Sequence, residues 1–327
     1  MRTNSHPATF ADFSLRRQRR TRTWTFLQRA NSVIDWRFTD KIHSFLYEKE
    51  LWRKPYDTLL KVKIIFLQKW YWLSDARAEE EIFDKKSFQE FLGLSSDDDI
   101  PDETTICRFR NDLRACGLDE YLFDEMDRQI GLNDLKINTG KIVDATIIEV
   151  PKWRKKDDGS NTKDKEAWFT KKNWMTYHWY KLHVSTDLSW NFIRKVYVSS
   201  ASDHDSRHED KITDWDEIAL FKDSAYINKE QKKTMRKEWR YYWVVERAVR
   251  WHPLSTKQKK RNRKNSSIRV KVEHPFAEIK CRMKHVARFV WLDKNSFDFR
   301  MVAMAYNMKR LVGIFYKAQK QAVVFVT

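Results

Sequence analysis

The spacing of apolar residues predicts that the chain begins with helices. Apolar residues recur at helical intervals across residues 24–50 and again across 55–75, and a shorter helical pattern follows. The segment TTICRFRNDLRACG has Asp102 or Thr104 in position to cap its first turn, and it predicts a further helix that ends at a glycine. These patterns indicate an all-helical unit, which is either helix-turn-helix-like or an ordinary helical bundle with a basic surface.

From about residue 137 the pattern becomes that of strands mixed with helices. A polar stretch predicts a loop at 152–165, and the basic run KQKKRNRK predicts another loop at 257–264. The remaining pattern predicts strands at 141–150, 180–187, 192–200, 217–223 and 241–246, and helices at 207–217, at 229–238, through Glu273 and at 296–318. Three strands followed by helix, strand and helix are typical of a ribonuclease-H-like α/β layer.

The predicted fold is therefore a ribonuclease-H-like α/β catalytic domain, a mixed sheet flanked by helices, preceded by an all-α helix-turn-helix-like N-terminal domain. We place a basic N-terminal arm and helix at residues 1–50, a helical DNA-binding domain at 51–135 and the ribonuclease-H-like domain at 136–327. The arm is assigned because residues 16–22 read RRQRRTR.

Charge narrows the class of partner. The chain carries 64 Lys and Arg against 46 Asp and Glu, a net charge of +18. This excess favours a polyanion, because each phosphate that Lys or Arg neutralises releases condensed counterions. An anionic membrane would attract the same charge, but no run approaches the ~20 apolar residues of a membrane span. The three cysteines form no CxxC pair, and the first residues lack the apolar core of a signal peptide, so we expect a reduced, cytoplasmic protein without structural zinc.

Two groups of basic residues are candidates for contacts with DNA phosphates. Arg108 and Arg110 lie on the predicted helix that follows Asp102. The second group belongs to the basic run at 257–264 and consists of Lys260, Arg261 and Arg263. Scattered arginines on a helix and charged loops are also common on surfaces that bind nothing, so both interpretations stay open.

Three acidic residues are candidates for a metal site. Asp144 lies in the first predicted strand, Asp223 ends the fourth, and Glu273 lies on the helix that follows. The first and fourth strands are neighbours in this fold, so the three carboxylates meet at one end of the sheet. Converging carboxylates repel one another unless a cation binds, and open oxygen sites select Mg²⁺ or Mn²⁺. Periodicity favours these residues over Glu149 and Glu278, although 46 acidic residues also produce chance triples.

Seven segments, in order, resemble the DDE transposases of bacterial insertion sequences, in the group of insertion sequences five and four. The segments are YDTLLKVKIIFLQKWYWLSD, PDETTICRFRNDL, IVDATIIE, YKLHVSTD, SSASDHDS, FKDSAY and RVKVEHPFAEIK. The resemblance implies that Asp144, Asp223 and Glu273 are catalytic and hold two Mg²⁺ (or Mn²⁺) ions. The last segment fits the Arg-x3-Glu-x6-Lys signature, which implies that Arg269 and Lys280 contact DNA phosphates.

The resemblance also implies an activity. A transposase of this kind binds the terminal inverted repeats of its element, cleaves a strand to free a 3′-hydroxyl, and uses that hydroxyl to attack target DNA. We expect double-stranded DNA as partner, a homodimer that holds two ends, no membrane, and a bacterial cytoplasmic location at the nucleoid. Two alternatives remain: a nuclease of the same fold without strand transfer, and a non-catalytic or decayed transposase-derived DNA-binding protein.

Two departures from the family pattern concern the signature helix. The family has a tyrosine where this chain has Ser266, so we expect no tyrosine-mediated step. A continuous helix would place Arg269, Glu273 and Lys280 on one face, but Pro275 must either start such a helix or kink it.

The balance of glycine and tryptophan is unusual. The chain has 6 glycines, where a typical share of about 7% would give roughly 23, and it has 15 tryptophans. By resemblance, tryptophan replaces a family glycine at Trp52, Trp72, Trp179, Trp190 and Trp291, with Trp174, Trp215, Trp239 and Trp251 as further cases. Trp70 and Trp168 instead match family tryptophans. We expect the turn at Trp190 to need a residue that tolerates positive φ.

Our hypothesis is that a UGA codon, which means glycine in the source organism, has been read as tryptophan. The alternatives are an aromatic-rich variant that stacks on unpaired bases, or a decayed copy.

Overall fold

A computed structural model describes residues 21–47, 55–95, 97–135, 139–150, 164–172, 175–215, 217–226, 228–248 and 250–324. Most of the predicted basic arm, most of the predicted loop at 152–165, Trp52 and Trp174 lie outside these residues.

The described residues before 139 form an all-helical unit. Its helices are α1 (Arg22–Val33), α2 (Phe38–Leu46), α3 (Thr58–Tyr71), α4 (Asp75–Asp84), α5 (Lys86–Leu92), α6 (Glu103–Ala115) and α7 (Leu118–Leu132). Asp102 caps α6, as predicted, by accepting a hydrogen bond from the backbone N–H of Thr105 at 2.6 Å. The single helix predicted over 24–50 is two helices, because the backbone is extended at Ile34.

Helix α3 is the centre of this unit. Ile64, Ile65, Phe66 and Leu67 are fully buried, although they cover more than one side of the helix. A helix that is apolar on several sides must be enclosed by others. The neighbouring helices α2, α4, α5 and α6 all pack against it.

The described residues after 139 form a mixed sheet. Its strands are β1 (Lys141–Glu149), β2 (Trp168–Lys172), β3 (Met175–Asp187), β4 (Ile193–Ser200), β5 (Ala219–Lys222) and β6 (Tyr241–Val244). β3 is antiparallel to β1, β2 and β4, whereas β5 is parallel to β1 and to β6. The sheet therefore runs β4–β3–β1–β5–β6, and the short edge strand β2, which was not predicted, also pairs with β3.

The helices of this part are α8 (Glu209–Ile212), α9 (Lys229–Lys237), α10 (Thr256–Arg269), α11 (Glu273–Ala277) and α12 (Leu292–Val324). The loop predicted at 257–264 is wrong, because these residues belong to α10. A capping box starts this helix: the Ser255 hydroxyl accepts from the Gln258 N–H at 3.2 Å, and the Gln258 side chain accepts from the Ser255 N–H at 2.8 Å. Lysine, arginine and glutamine are good helix formers, so a charged run can be helical without an apolar face.

The signature segment is helical but not uniform. The α-helix ends at Arg269, a 3-10 turn covers Val270–Val272, and α11 begins at Glu273. A π-helical turn, Glu278–Arg282, follows. Pro275 lies in the first turn of α11, where its missing N–H costs nothing, so it starts a helical segment.

One hydrophobic core joins the helical unit to the sheet. Buried residues of α1–α7, of β1, β3 and β4, and of α12 form a single cluster. A smaller cluster on the other face of the sheet contains Val143, Ile212, Leu220, Tyr226, Met235 and Tyr242. Within the described residues, no helix has the length and apolar character needed to cross a membrane.

Candidate active site

The pairing of β1 with β5 brings two of the predicted carboxylates together. Val143 is aligned with Lys222, and both side chains lie on the face of the smaller cluster. The next residues, Asp144 and Asp223, therefore lie on the opposite face, directly after the stretch over which the two strands pair. Glu273, the first residue of α11, belongs to the helical layer on that face.

The pKa of Asp144 depends on its burial and on the charged side chains near it. Asp144 is 9% exposed, and burial raises the pKa of its carboxyl to about 6. The positive charge of Arg269 opposes this increase, whereas the negative charges of Asp223 and Glu273 add to it. Asp223 and Glu273 thus each lie within electrostatic reach of Asp144.

The three carboxylates are suitable ligands for a divalent cation, but they are not already arranged around one ion position. Carboxylate oxygens are the ligands that Mg²⁺ and Mn²⁺ prefer, and a cation would relieve the repulsion that raises the pKa of Asp144. Within the described part of the chain, no three His, Cys, Asp or Glu side chains are already arranged around one ion position. Closing the site around a metal therefore requires movement of side chains.

Arg269 occupies the approach to Asp144. It is the last residue of α10, and its Nη1 donates a hydrogen bond to Asp144 Oδ2. Its Nε is buried and has no hydrogen-bond partner. A buried donor without a partner is costly, so this nitrogen is available to an acceptor that enters the site.

Lys280 lies against the same strand. Its ammonium donates to the backbone carbonyl of Ile147 at 2.7 Å and contacts the Thr146 hydroxyl. Arg269 and Lys280 therefore reach β1 at neighbouring positions, Asp144 and Ile147, despite the irregular helix between them.

A basic helix leads to this site. Lys260, Arg261 and Arg263 are exposed on α10, and Arg261 also pairs with Glu246. At a rise of about 1.5 Å per residue, Lys260 lies roughly 14 Å along the axis from Arg269. Positive charge thus runs along α10 as far as Lys264 and returns at Arg269, beside Asp144.

The two arginines predicted on α6 differ. Arg108 is exposed, as a phosphate contact requires. Arg110 is 8% exposed and forms a bidentate pair with Asp75, in which Nη1 and Nη2 each lie 2.6 Å from a carboxylate oxygen. The structure thus places Arg110 inside the helical unit, where it joins α6 to α4, and not on a DNA-facing surface.

Charged and polar residues are buried on the other face of the sheet, behind the carboxylates. Lys222 is fully buried next to Asp223 and pairs with Glu209. His183 is fully buried, with Nδ1 3.0 Å from the Tyr226 hydroxyl and Nε2 2.9 Å from the Ser199 hydroxyl. The sequence signal was a lysine and a histidine at strand positions that face the interior.

Three antiparallel strands, β4, β3 and β1, are continued by the parallel strands β5 and β6. With Asp144 inside β1 and Asp223 directly after β5, this order is that of a ribonuclease-H-like fold. Residues 137–308, more than half of the chain, match the family model described as transposase DDE domain. Residues 14–112 match a second model, described as transposase domain (DUF772). The chain belongs to the DDE transposases of insertion-sequence type. No solved structure matches it.

Proposed function

We propose that this transposase binds the terminal inverted repeats of its element, cleaves a DNA strand with divalent metal ions, and transfers the freed 3′-end to target DNA. The observation that supports this proposal is that the Asp144 carboxyl lies within electrostatic reach of Asp223, of Glu273 and of Arg269, the last residue of the basic helix α10. Carboxylates that attract a cation and a basic surface that attracts phosphate are both needed for phosphodiester chemistry.

The roles of the residues follow from their positions. Two Mg²⁺ or Mn²⁺ ions held by Asp144, Asp223 and Glu273 would supply activation of an attacking oxygen and stabilisation of a leaving one. Arg269 would turn its unpaired Nε toward a phosphate that enters beside Asp144. Lys280, held at the carbonyl of Ile147, would place a second positive charge near the same phosphate.

DNA would extend from the site along α10. Lys260, Arg261 and Arg263 would neutralise backbone phosphates without reading sequence. Recognition of the terminal repeats is proposed for the helical unit, where exposed Arg108 on α6 would contact DNA in a helix-turn-helix-like arrangement. Arg110 is left out of this proposal because its guanidinium is committed to Asp75. We propose a homodimer, because two ends must be held together.

The triad is tested by neutral substitutions. Asp144→Asn and Glu273→Gln are expected to lower strand cleavage by more than about 100-fold, because direct metal ligands matter at least as much as their outer-shell partners. Binding to DNA should persist, since the basic surface is unchanged. The substrate is a duplex that carries the sequences flanking the reading frame, assayed with Mg²⁺ and with Mn²⁺.

Glu149→Gln is the matched control, because Glu149 is exposed at the far end of the same strand. Cleavage by either triad variant at the control rate would contradict the assignment. Joined products in a plasmid integration assay distinguish a transposase from a nuclease that only cuts. Cleavage by the unaltered chain, which the triad variants lose, distinguishes an enzyme from a DNA-binding relic.

A further inference from the structure

We propose that Trp72, Trp215, Trp239, Trp251 and Trp291 stand at positions where the natural chain carries glycine, because the source cell reads their codon as glycine. This inference does not depend on the DNA chemistry proposed above. It rests on the backbone conformation at these five positions, an observation separate from the composition and from the resemblance.

The backbone separates the tryptophans into two sets. Eight described residues other than glycine have φ between +51° and +85°. Five of them are the tryptophans named above, and the others are Asp134, Asn191 and Lys284. Asn and Asp adopt positive φ more readily than other residues, whereas a bulky aromatic residue does so rarely. Tryptophan is 15 of 327 residues, so it should contribute few or none.

Trp239 shows why glycine fits. The Trp239 N–H donates to Arg236 O at 3.2 Å, and the next N–H, of Arg240, donates to Met235 O at 2.8 Å. These two bonds form a Schellman motif at the end of α9, and its left-handed residue is usually glycine. The indole of Trp239 is 96% exposed, so packing does not offset the strain.

The chain contains the same motif with glycine in place. Gly93 ends α5 with φ +77°; its N–H donates to Glu90 O at 3.3 Å, and the N–H of Leu94 donates to Gln89 O at 2.9 Å. Trp72 ends α3 in the left-handed conformation, and the next N–H, of Leu73, donates to Gln68 O at 3.1 Å. Equivalent turns therefore carry glycine in one place and tryptophan in others.

Trp251 is also an exposed tryptophan in the left-handed conformation, although it is not at a helix end; its φ is +68° and it is 85% exposed. At Trp72 the ring does find a partner, since the Arg288 guanidinium lies 3.8 Å from its centroid. Trp239 and Trp251 are thus the sharpest positions at which to test the proposal, because their side chains make the least contact.

A second set consists of true tryptophans. Trp70 is 5% exposed, and its Nε1 donates to the carbonyl of Ala305 at 2.9 Å. Trp36 and Trp243 are also buried, and neither has positive φ. The expectation that Trp190 needs positive φ is wrong, because the left-handed residue of its turn is Asn191. Trp179 lies in β3 opposite Glu149, and its extended backbone is one that tryptophan and glycine can both adopt.

The first experiment reads the codons and the natural protein. We expect UGA at the five positive-φ positions and UGG at Trp36, Trp70 and Trp243. Mass spectrometry of protein from the source cell should find glycine in the peptides that contain positions 239 and 251. A shared UGG codon in both sets, or tryptophan in those peptides, would overturn the proposal.

The second experiment measures conformational fit in recombinant protein. Trp239→Gly and Trp251→Gly are each expected to raise the thermal midpoint by roughly 2–4 °C. Trp239→Ala and Trp251→Ala are the matched controls, because they remove the ring but keep a Cβ, and their midpoints should be lower than those of the glycine variants. Trp70→Gly should lower the midpoint. Glycine variants no more stable than the alanine variants would contradict the conformational argument.

Discussion

The ion pair between Arg269 and Asp144 is the central contact of the proposed site. The guanidinium neutralises a carboxylate that is otherwise crowded by Asp223 and Glu273. A metal ion at the proposed site would therefore compete with an internal cation for Asp144. The same arginine carries the unpaired Nε donor, so its displacement by metal and its engagement with phosphate are expected to occur together.

This competition predicts a split effect of Arg269→Gln. The Mg²⁺ concentration for half-maximal cleavage should fall, because Asp144 no longer has a competing partner. The maximal rate should also fall, by about 10- to 100-fold, because a phosphate contact is lost. Cleavage rates measured over a Mg²⁺ titration give both quantities.

Arg263→Gln is the control for this prediction, since it removes a charge from α10 at a distance from Asp144 and should leave the metal requirement unchanged. An increased Mg²⁺ requirement in Arg269→Gln would show that the arginine assists metal binding instead of competing with it.

His183 predicts a pH dependence of stability. Burial lowers the pKa of His183 to about 4, against 6.5 in the unfolded chain. The folded state thus favours the neutral ring, so its contribution to stability is complete above pH 6.5 and is lost as the pH falls toward 4. Asp205 and Asp203 moderate the shift, whereas His208 and Lys181 increase it. The loss should reach roughly 3 kcal/mol near pH 4.

Urea denaturation at several pH values between 7 and 4 measures this contribution. His183→Gln keeps a donor and an acceptor without titrating, so the free energy of unfolding should depend less on pH. His252→Gln, at an exposed histidine, should keep the original slope. An unchanged slope in His183→Gln would contradict the assigned protonation.

At the scale of elements, α10 is the feature that sequence patterning described least well. The strands were predictable because β-branched and aromatic residues fill β1, β3, β4 and β5. Helix α10 has no apolar stripe, and Asn265 is its buried residue, so periodicity gave no signal. Its helical form depends on a cap and on the propensities of Lys, Arg and Gln.

For the candidate site, too, some features could be predicted from the sequence and others could not. That Asp144 and Asp223 belong to neighbouring strands could be predicted, because chain order in this fold sets which strands are neighbours. The pairing of Arg110 with Asp75, and of Arg269 with Asp144, depends on contacts between distant segments that no local pattern encodes.

A helical basic surface predicts a particular response to salt. Lys260→Gln and Arg263→Gln should each weaken DNA binding about equally for all sequences and reduce the slope of log affinity against log salt by about 1. Arg261→Gln should have a smaller effect, because Arg261 is already paired with Glu246. Titrations at several salt concentrations measure the slope. Slopes that match the unaltered chain would remove α10 from the DNA-binding surface.

At the scale of the whole molecule, α12 ties the two matched regions together. Trp70 and Lys69 of α3 contact Ala305 and Asp298 of α12. On the other side of the same helix, the Asn307 amide exchanges hydrogen bonds with the backbone of Ile193 in β4, at 2.8 and 2.9 Å. The proposed boundary at 135/136 therefore does not divide the hydrophobic core.

The buried contact of Lys69 and Asp298 with His285 provides a test of this coupling. All three side chains are almost inaccessible to water. Lys69→Met should lower the free energy of unfolding by about 3–5 kcal/mol, because Asp298 loses a charged partner inside the core. Urea unfolding followed by far-ultraviolet circular dichroism should show one transition, shifted as a whole.

Arg300→Met is the comparison, since Arg300 is about a quarter exposed and joins α12 to buried Asp119 and exposed Glu120, so this change should cost less than Lys69→Met. Two separate transitions in Lys69→Met would show that the helical unit and the sheet unfold independently.

The place of α12 in the chain also sets when a newly made molecule becomes competent. The helical unit is synthesised first, but its core includes residues of α12, near the other end of the described chain. At about 5–20 residues per second, roughly 15–60 s separate synthesis of α1 from that of α12. During this interval the nascent chain lacks the contacts that α12 makes with the helical unit and with β4. A ribosome-bound fragment would therefore lack the folded site that the proposed cleavage requires, and that site would form only after α12 has left the ribosome.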